Sequence, residues 1–195
     1  AQDTTAWLSI SPSSGSGGTT INVTATNSTI PVGTYTGSVI VSDPDSTNGS
    51  QSVPVTLRIY NSGSTAAPQG TFDTPSDNAT VAGSIALTGW VVDDVEVKRV
   101  DIYSGSTKID TALFVDGARP DVENAFPTYP KNYLAGWGYM LLTNYLPGGG
   151  QGWYTLYAKA VDAEGHTTVL GSKRIYVDND GATKPFGAID TPTQG

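Results

Sequence analysis

A chain of 195 residues has room for one or two domains. Charged residues make up only 14 %, Gly and Pro are frequent and Cys is absent, which argues against long charged helices and excludes disulfides, Cys-ligated zinc and thiol catalysis. A net charge of −8 disfavours a nucleic-acid partner, ten Tyr and four Trp disfavour disorder, and no apolar run approaches the roughly 20 residues that insert into a bilayer.

Residues 1–67 are polar and almost uncharged, with 25 Ser and Thr, three Asp and one Arg. Their apolar residues recur with a period of two, the mark of half-buried strands. Leu8 and Ile10 form one face. Ile21, Val23 and Ala25 form another, as do Tyr35, Val39 and Val41, and then Val53, Val55, Leu57 and Ile59. Four strands are predicted, the last an edge strand because Pro54 has no N–H to donate. Ser13–Gly18 and Asp43–Gly49 read as turns. Asn61–Ala67 is short, acid-free and rich in Gly, Ser and Ala, as a flexible linker is.

The remaining chain carries 15 acids, nine bases and most of the aromatics. Ile85, Leu87, Gly89 and Val91 alternate with Ala86, Thr88 and Trp90. Val100 and Ile102 point inward on a strand with Arg99, Asp101 and Tyr103 outward. Tyr154, Leu156, Ala158 and Ala160 alternate with Trp153, Tyr157 and Lys159, and Ile175 and Val177 with Arg174 and Tyr176. Trp137–Leu146 is apolar on both faces and is expected to be buried on both. The stretch Asp116–Leu134, with three Pro and no period, is the expected cover, as an ordered irregular insert.

The stretches Trp7-Leu-Ser-Ile-Ser-Pro-Ser-Ser-Gly15, Gly33-Thr-Tyr-Thr-Gly-Ser-Val-Ile-Val41 and Gln51-Ser-Val-Pro-Val-Thr-Leu57 resemble the BACON family of bacterial β-sandwich modules. The resemblance implies a small module of a secreted or surface protein, here short of the strands that normally precede Trp7. Residues 68–184 resemble a bacterial immunoglobulin-like domain, most clearly at Gly152-Trp-Tyr-Thr-Leu-Tyr-Ala-Lys-Ala-Val-Asp-Ala-Glu-Gly165. That likeness puts Tyr154 in the tyrosine-corner position and Leu156 where an antibody domain carries a disulfide Cys. The pattern of Pro68–Pro75 (P-x-G-x-[apolar]-D-T-P) recurs at Pro185–Pro192, so 185–195 reads as the start of a further repeat. Residues 1–20 lack a basic and then apolar leader. An excised or processed piece of a longer chain is the expectation.

No G-x-S-x-G elbow is present, the sole histidine, His166, reads as a solvated turn residue, and no carboxylate pair is marked by a motif. No catalytic residue is expected. Tyr103, Trp153, Tyr157 and Tyr176 fall on one outward face, interleaved with charged residues. Such a face suits stacking on sugar rings. The competing reading, favoured because large exposed apolar patches are uncommon, packs the insert over them. Asp93, Asp94, Asp162 and Glu164 cluster in turns at one end of the predicted sandwich, with Asp178 and Asp180 at the other. Val177-Asp-Asn-Asp180 together with Lys184-Pro-Phe186 resembles a cadherin calcium linker, so no cofactor is expected beyond calcium at inter-module joints, shared with the next module. Against it, Asp and Asn are ordinary turn residues. The N-x-[S/T] triplets at Asn22, Asn27, Asn48 and Asn78 are those a Ser/Thr-rich chain contains by chance.

The expected protein is therefore all-β. A partial sandwich (1–60) precedes a linker (61–67), an immunoglobulin-like sandwich with a long ordered insert (68–184) and a fragment of a repeat (185–195). The expected role is a non-catalytic spacer or adhesion unit of a secreted or cell-surface bacterial protein. The alternative is a carbohydrate-binding module of a glycan-degrading enzyme. Its partners would be a glycan or another protein, beside neighbouring modules of the parent chain, with no nucleic acid and no membrane insertion.

Overall fold

The structure, a computed structural model, describes residues 1–26 and 30–180. The sequon at Asn27 and the repeat at Pro185–Pro192 lie outside the described residues. The chain divides into two compact units, Ala1–Thr65 and Ala66–Gly195.

The first unit holds β1 (Gln2–Asp3), β2 (Leu8–Ser11), β3 (Asn22–Ala25), β4 (Gly33–Val41) and β5 (Gln51–Ile59). β2 and β3 form a two-stranded antiparallel sheet, while β1, β4 and β5 form a second sheet in that order. Four of the five strands follow from the period-two pattern. β1 has two residues, too few to carry a period, and adds to β4 by pairing Gln2 with Ile40 and Asp3 with Val39. β4 and β5 run in unbroken register from Gly33 opposite Ile59 to Val41 opposite Gln51. Among the described residues β5 has β4 as its one ladder partner, which leaves the Pro54 position at a sheet edge. Leu8 and Val39 are buried, but Val41 and Val53 stay exposed, so alternation set the face of β5 without supplying a layer over Val53.

The second unit is a sandwich of two sheets. β6 (Gln69–Thr74), β8 (Ser84–Val92), β12 (Gly136–Leu142) and β11 (Leu113–Val115) form one, ordered β11-β12-β8-β6. β7 (Ala79–Val81), β9 (Val97–Ser104), β10 (Thr107–Thr111), β13 (Gln151–Asp162) and β14 (Thr167–Asp178) form the other, ordered β10-β9-β13-β14-β7. β7 joins β14 in parallel and every other pairing is antiparallel. The inward residues of the alternating runs meet as one core: Leu87 and Val91 on β8, Val100 and Ile102 on β9, Leu156, Ala158 and Ala160 on β13, Ile175 and Val177 on β14. Trp137 of β12 packs on Phe72 of β6, ring centres 5.5 Å apart. Gly89, directly opposite it, makes the room, since a Cβ there would strike the indole and the Thr71 carbonyl oxygen. The Tyr154 hydroxyl donates back to the Pro147 carbonyl at 2.6 Å, the hydrogen bond of a tyrosine corner. Tyr154→Phe is expected to cost about 1–1.5 kcal/mol in urea denaturation, because that carbonyl loses its partner while the ring stays packed.

Three expectations about Trp137–Leu146 and the insert are corrected. β12 ends at Leu142 and a 3-10 turn, Thr143–Tyr145, follows. Trp137 and Leu141 are buried and Tyr139 is half-buried in the core, while Met140 and Leu142 are exposed and Tyr145 is 78 % exposed, so the segment is not buried on both faces. Nor does the insert cover Trp153 and its neighbours. It lies on the outer face of the other sheet, where Val122, Phe126 and Tyr129 close over Trp90, Val92 and Ala135. Phe126 stacks 5.5 Å from Trp90, and Tyr129 meets Phe126 edge-on. The insert is also not wholly irregular. Pro120–Ala125 is a helix, α1, with Pro in the first turn and Asp121 and Glu123 at its positive end. Arg119 ties it down, reaching Asp73 of β6 at 2.7 Å and forking onto Asp121. The fork's hydrogen bond and charge hold the Asp121 carboxyl at about 2.

Candidate functional site

The outer face of the five-stranded sheet is set by register. Trp153 lies opposite Tyr176, Tyr157 opposite Tyr103, and Lys159 opposite Asp101. All four predicted aromatics therefore share one face, as two cross-strand pairs separated by four residues of β13, about 13 Å along the strand. Trp153 is 51 % exposed, and Tyr103, Tyr157 and Tyr176 are half-buried. Tyr176 meets the indole edge-on at 5.3 Å, and the Arg174 guanidinium lies over it, 3.9 Å from the ring centre.

Beside the second pair, Asp101 faces outward yet is buried beneath cations. Lys108 donates to it at 2.7 Å, Thr111 at 2.9 Å and Arg99 at 3.0 Å. Burial alone would raise this carboxyl, but the three donors outweigh it and hold Asp101 below the ordinary aspartate value. The sequence shows Asp101 only as one charge among the aromatics. Lys108, from a strand with no clear alternation, gives no signal of the pairing.

The six predicted metal-ligating acids divide between the two ends. Asp178 and Asp180 stand at the end where β13 begins. The Asp178 carboxylate accepts from Gln151 Nε2 at 3.2 Å. Asn179 between them is a structural staple: its Oδ1 accepts from Gly83 N–H and the Thr143 hydroxyl, and its Nδ2 donates to the Gly150 carbonyl. Asp93, Asp94, Asp162 and Glu164 gather at the other end. Asp94 accepts the Ala66 N–H at 3.2 Å. Asp93 Oδ2 accepts from Val95 and Glu96 N–H, at 2.9 and 2.8 Å. Asp162 Oδ1 accepts from Gly165 and His166 N–H, at 2.6 and 2.7 Å, while its Oδ2 lies 2.7 Å from His166 Nδ1. Burial pushes the Asp93 carboxyl up against its two N–H donors, with Asp94 and Asp162 adding to the rise. Desolvation and then the charges of Asp162, Asp93 and Asp94 push Glu164 up as well. His166 is thus not a merely solvated turn residue. It is half-exposed and paired to a carboxylate that is 1 % exposed. The D-x-E-x-H spacing in a tight turn is the signal that marks it.

The Bacterial Ig domain family (Big_7) matches residues 68–120. No curated protein sequence matches the chain. The solved structures that align with this chain include these three. An endo-beta-1,4-mannanase from Thermotoga petrophila aligns at 14 % identity over 58 % of this chain and 20 % of its own, with a TM-score of 0.40. Fibronectin(III)-like modules of Clostridium thermocellum CbhA align at 20 % identity over 56 % of this chain and 94 % of theirs, with a TM-score of 0.38. The titin Ig tandem domains A164–A165 align at 13 % identity over 90 % of this chain and 75 % of theirs, with a TM-score of 0.37. The aligned region spans about a fifth of the mannanase chain. The match at 68–120 makes the start of the second unit similar to a bacterial immunoglobulin-like domain, a β-sandwich type that is typically non-catalytic.

Proposed function

We propose that the chain is a non-catalytic adhesion segment of a secreted or cell-surface bacterial protein, and that its second unit holds a glycan on the face of β9, β13 and β14. Bacterial immunoglobulin-like modules often occur in extracellular proteins. Residues 1–60 enter this reading as a BACON-type module beside it, and calcium at the joints to further modules as an accessory.

The observation that carries the reading is the uncovered aromatic row. The insert lies on the opposite sheet, so Tyr103, Trp153, Tyr157 and Tyr176 are not under it. Flat rings with Lys159, Arg99 and Lys108 beside them offer stacking for sugar faces and donors for hydroxyls. One observation favours a second reading, that of a plain spacer. Arg174 lies over the Trp153 ring, so Tyr176, Trp153 and Arg174 also form a self-contained cross-strand ladder.

A glycan array on the whole chain, followed by titration of the best ligand, separates the two. Trp153→Ala is expected to abolish binding while costing only about 1–2 kcal/mol of stability, the worth of one edge contact and one exposed cation–π contact. Binding that survives the change removes Trp153 from the site. An array with no ligand leaves the ladder as architecture and the module as a spacer.

A further inference from the structure

The row of Tyr103, Trp153, Tyr157 and Tyr176 shares its face with an excess of cations. Arg174 lies opposite Thr155, Lys159 opposite Asp101 and Lys108 opposite Tyr103. These side chains, with Arg99 two residues before Asp101, have the parity of the aromatics and point outward with them. Four of the chain's ten Lys and Arg therefore stand on one sheet face, in a protein whose net charge is −8. Two carboxylates share that face. Asp101 is taken by Arg99, Lys108 and Thr111, and Asp178, beyond Trp153, accepts from Gln151. Asp77, beside β14, accepts the Arg174 N–H and the Asn78 Nδ2. The two guanidiniums are held by contacts that leave their forks open. Arg99 uses its Nε on Asp101, and Arg174 lies over the Trp153 ring. Among the described residues, neither the terminal nitrogens of these two arginines nor Lys159 Nζ donates to a protein acceptor.

We propose, resting on the reading of this face as a glycan site, that its ligand is an acidic oligosaccharide, with carboxylates on its sugar rings, bound by the forks of Arg174 and Arg99 with Lys159 between them. A guanidinium fork matches a carboxylate because it offers two parallel N–H donors. Arg174 on β14 lies opposite Thr155 of β13, and Arg99 on β9 lies opposite Val161. They stand six residues of β13 apart, about 20 Å along the strand, with Lys159 on the central strand. That distance exceeds one sugar ring, so a ligand reaching both is an oligosaccharide. Arg174 also decides the ligand's charge. Its guanidinium occupies one side of the Trp153 ring, 3.9 Å from the centre. A neutral sugar stacking there has to displace a cation from the indole. A sugar carrying a carboxylate pairs with the guanidinium where it already sits and stacks on the ring surface left free.

The whole chain is titrated with uronic-acid oligosaccharides of the galacturonate, glucuronate and mannuronate series. Each is measured beside its methyl ester, which keeps the rings and removes the charge. Inorganic polyphosphate is the polyanion control. The expected result is that at least one acid binds about tenfold more tightly than its ester, or better, and that its binding weakens as salt is raised. Arg174→Gln and Lys159→Gln change outward side chains and should fold, which circular dichroism checks. Each is expected to weaken the acid about tenfold. The ester should be unchanged in Lys159→Gln, and unchanged or tighter in Arg174→Gln, where the indole is uncovered. Arg99→Lys keeps the charge, loses the fork and is expected to weaken the acid as well. An ester bound as tightly as its acid, or a neutral glycan bound more tightly than every uronate, overturns the inference and leaves the glycan reading standing. Acid affinity unchanged in both Arg174→Gln and Lys159→Gln overturns it too. Polyphosphate bound as tightly as the best uronate overturns it and makes the face a general anion surface. No binding to any glycan, acidic or neutral, overturns this inference and the glycan reading together.

Discussion

Trp137→Ala is expected to cost about 3–5 kcal/mol and to lower the unfolding midpoint of the second unit sharply. The indole is 2 % exposed, sits over Gly89 and packs on Phe72, so its removal opens a cavity between the two sheets that rigid strands cannot close. A gentler change sharpens the test. The Trp137 Nε1 hydrogen is buried with no acceptor. Trp137→Phe keeps a ring against Phe72 and discards that unpaired donor, so the penalty of the smaller ring is partly offset by about 1–3 kcal/mol. Chemical denaturation of both variants, with far-UV circular dichroism to follow the sheets, is the measurement. Equal losses for Ala and Phe would show that the indole's shape, not its burial, is what the fold needs. A loss under about 1 kcal/mol for Ala would mean that the core collapses around the site.

The contrast between Trp137 and Trp153 shows how far alternation carries. Both fall in strongly β stretches. Parity places Trp153 outward, opposite Tyr154, Leu156 and Ala158, but leaves the face of Trp137 undecided, because its stretch is apolar on both sides. The main strands of the second unit, β8, β9, β13 and β14, were legible for that reason. Parity does not say which outer face is covered. Trp90 and Trp153 are both outward aromatics, and the insert had to choose between them. Phe126 and Tyr129 decide the matter by packing on Trp90, a contact between positions some 35 residues apart that no local pattern encodes. The six residues of α1 are too few for a 3.6-residue period to register. Pro120 followed by Asp121 and Glu123 was the available sign of a helix start. In β12, apolar residues on both faces suggested burial on both. Met140 and Leu142 are exposed because nothing in an apolar side chain prevents it from facing water on a strand otherwise held by its inner face. At the acidic end, composition located Asp93, Asp94, Asp162 and Glu164 in turns. It did not reveal that Asp93 and Asp162 are buried, nor that His166 pairs with Asp162, because both facts follow from two turns folding onto each other.

The first unit is expected to be far less stable than the second, and hydrogen exchange on the whole chain should show it. Among its described residues, Leu8 and Val39 are the hydrophobic side chains that are fully buried. Each contributes about 1.5–3 kcal/mol, little against the conformational entropy of ordering a segment of this length. Val23, Val32, Val41 and Val53 remain exposed, so the alternating pattern that builds β3, β4 and β5 is only partly used for burial. Ion pairs add nothing here, since one Arg and three Asp are the only charged side chains of residues 1–65. What holds β4 and β5 together is chiefly their nine-residue ladder, and a ladder without a packed face opens readily. Amides of β4 and β5 are therefore expected to exchange at least about 100-fold faster than those of β13 and β14, a gap of about 2.7 kcal/mol. β13 is the contrast because it is hydrogen-bonded on both sides, by β9 and β14, and has Leu156, Ala158 and Ala160 in the core. Mass spectrometry of peptic fragments resolves the two regions in one experiment. Protection of β4 and β5 equal to that of β13 would mean that Val41, Val53 and their neighbours are covered in solution, and would turn attention to what covers them. Fast exchange in β4 and β5 with slow exchange in β13 assigns the stability of the chain to the second unit, and makes the first unit the segment that gains most from a neighbour that buries its valines.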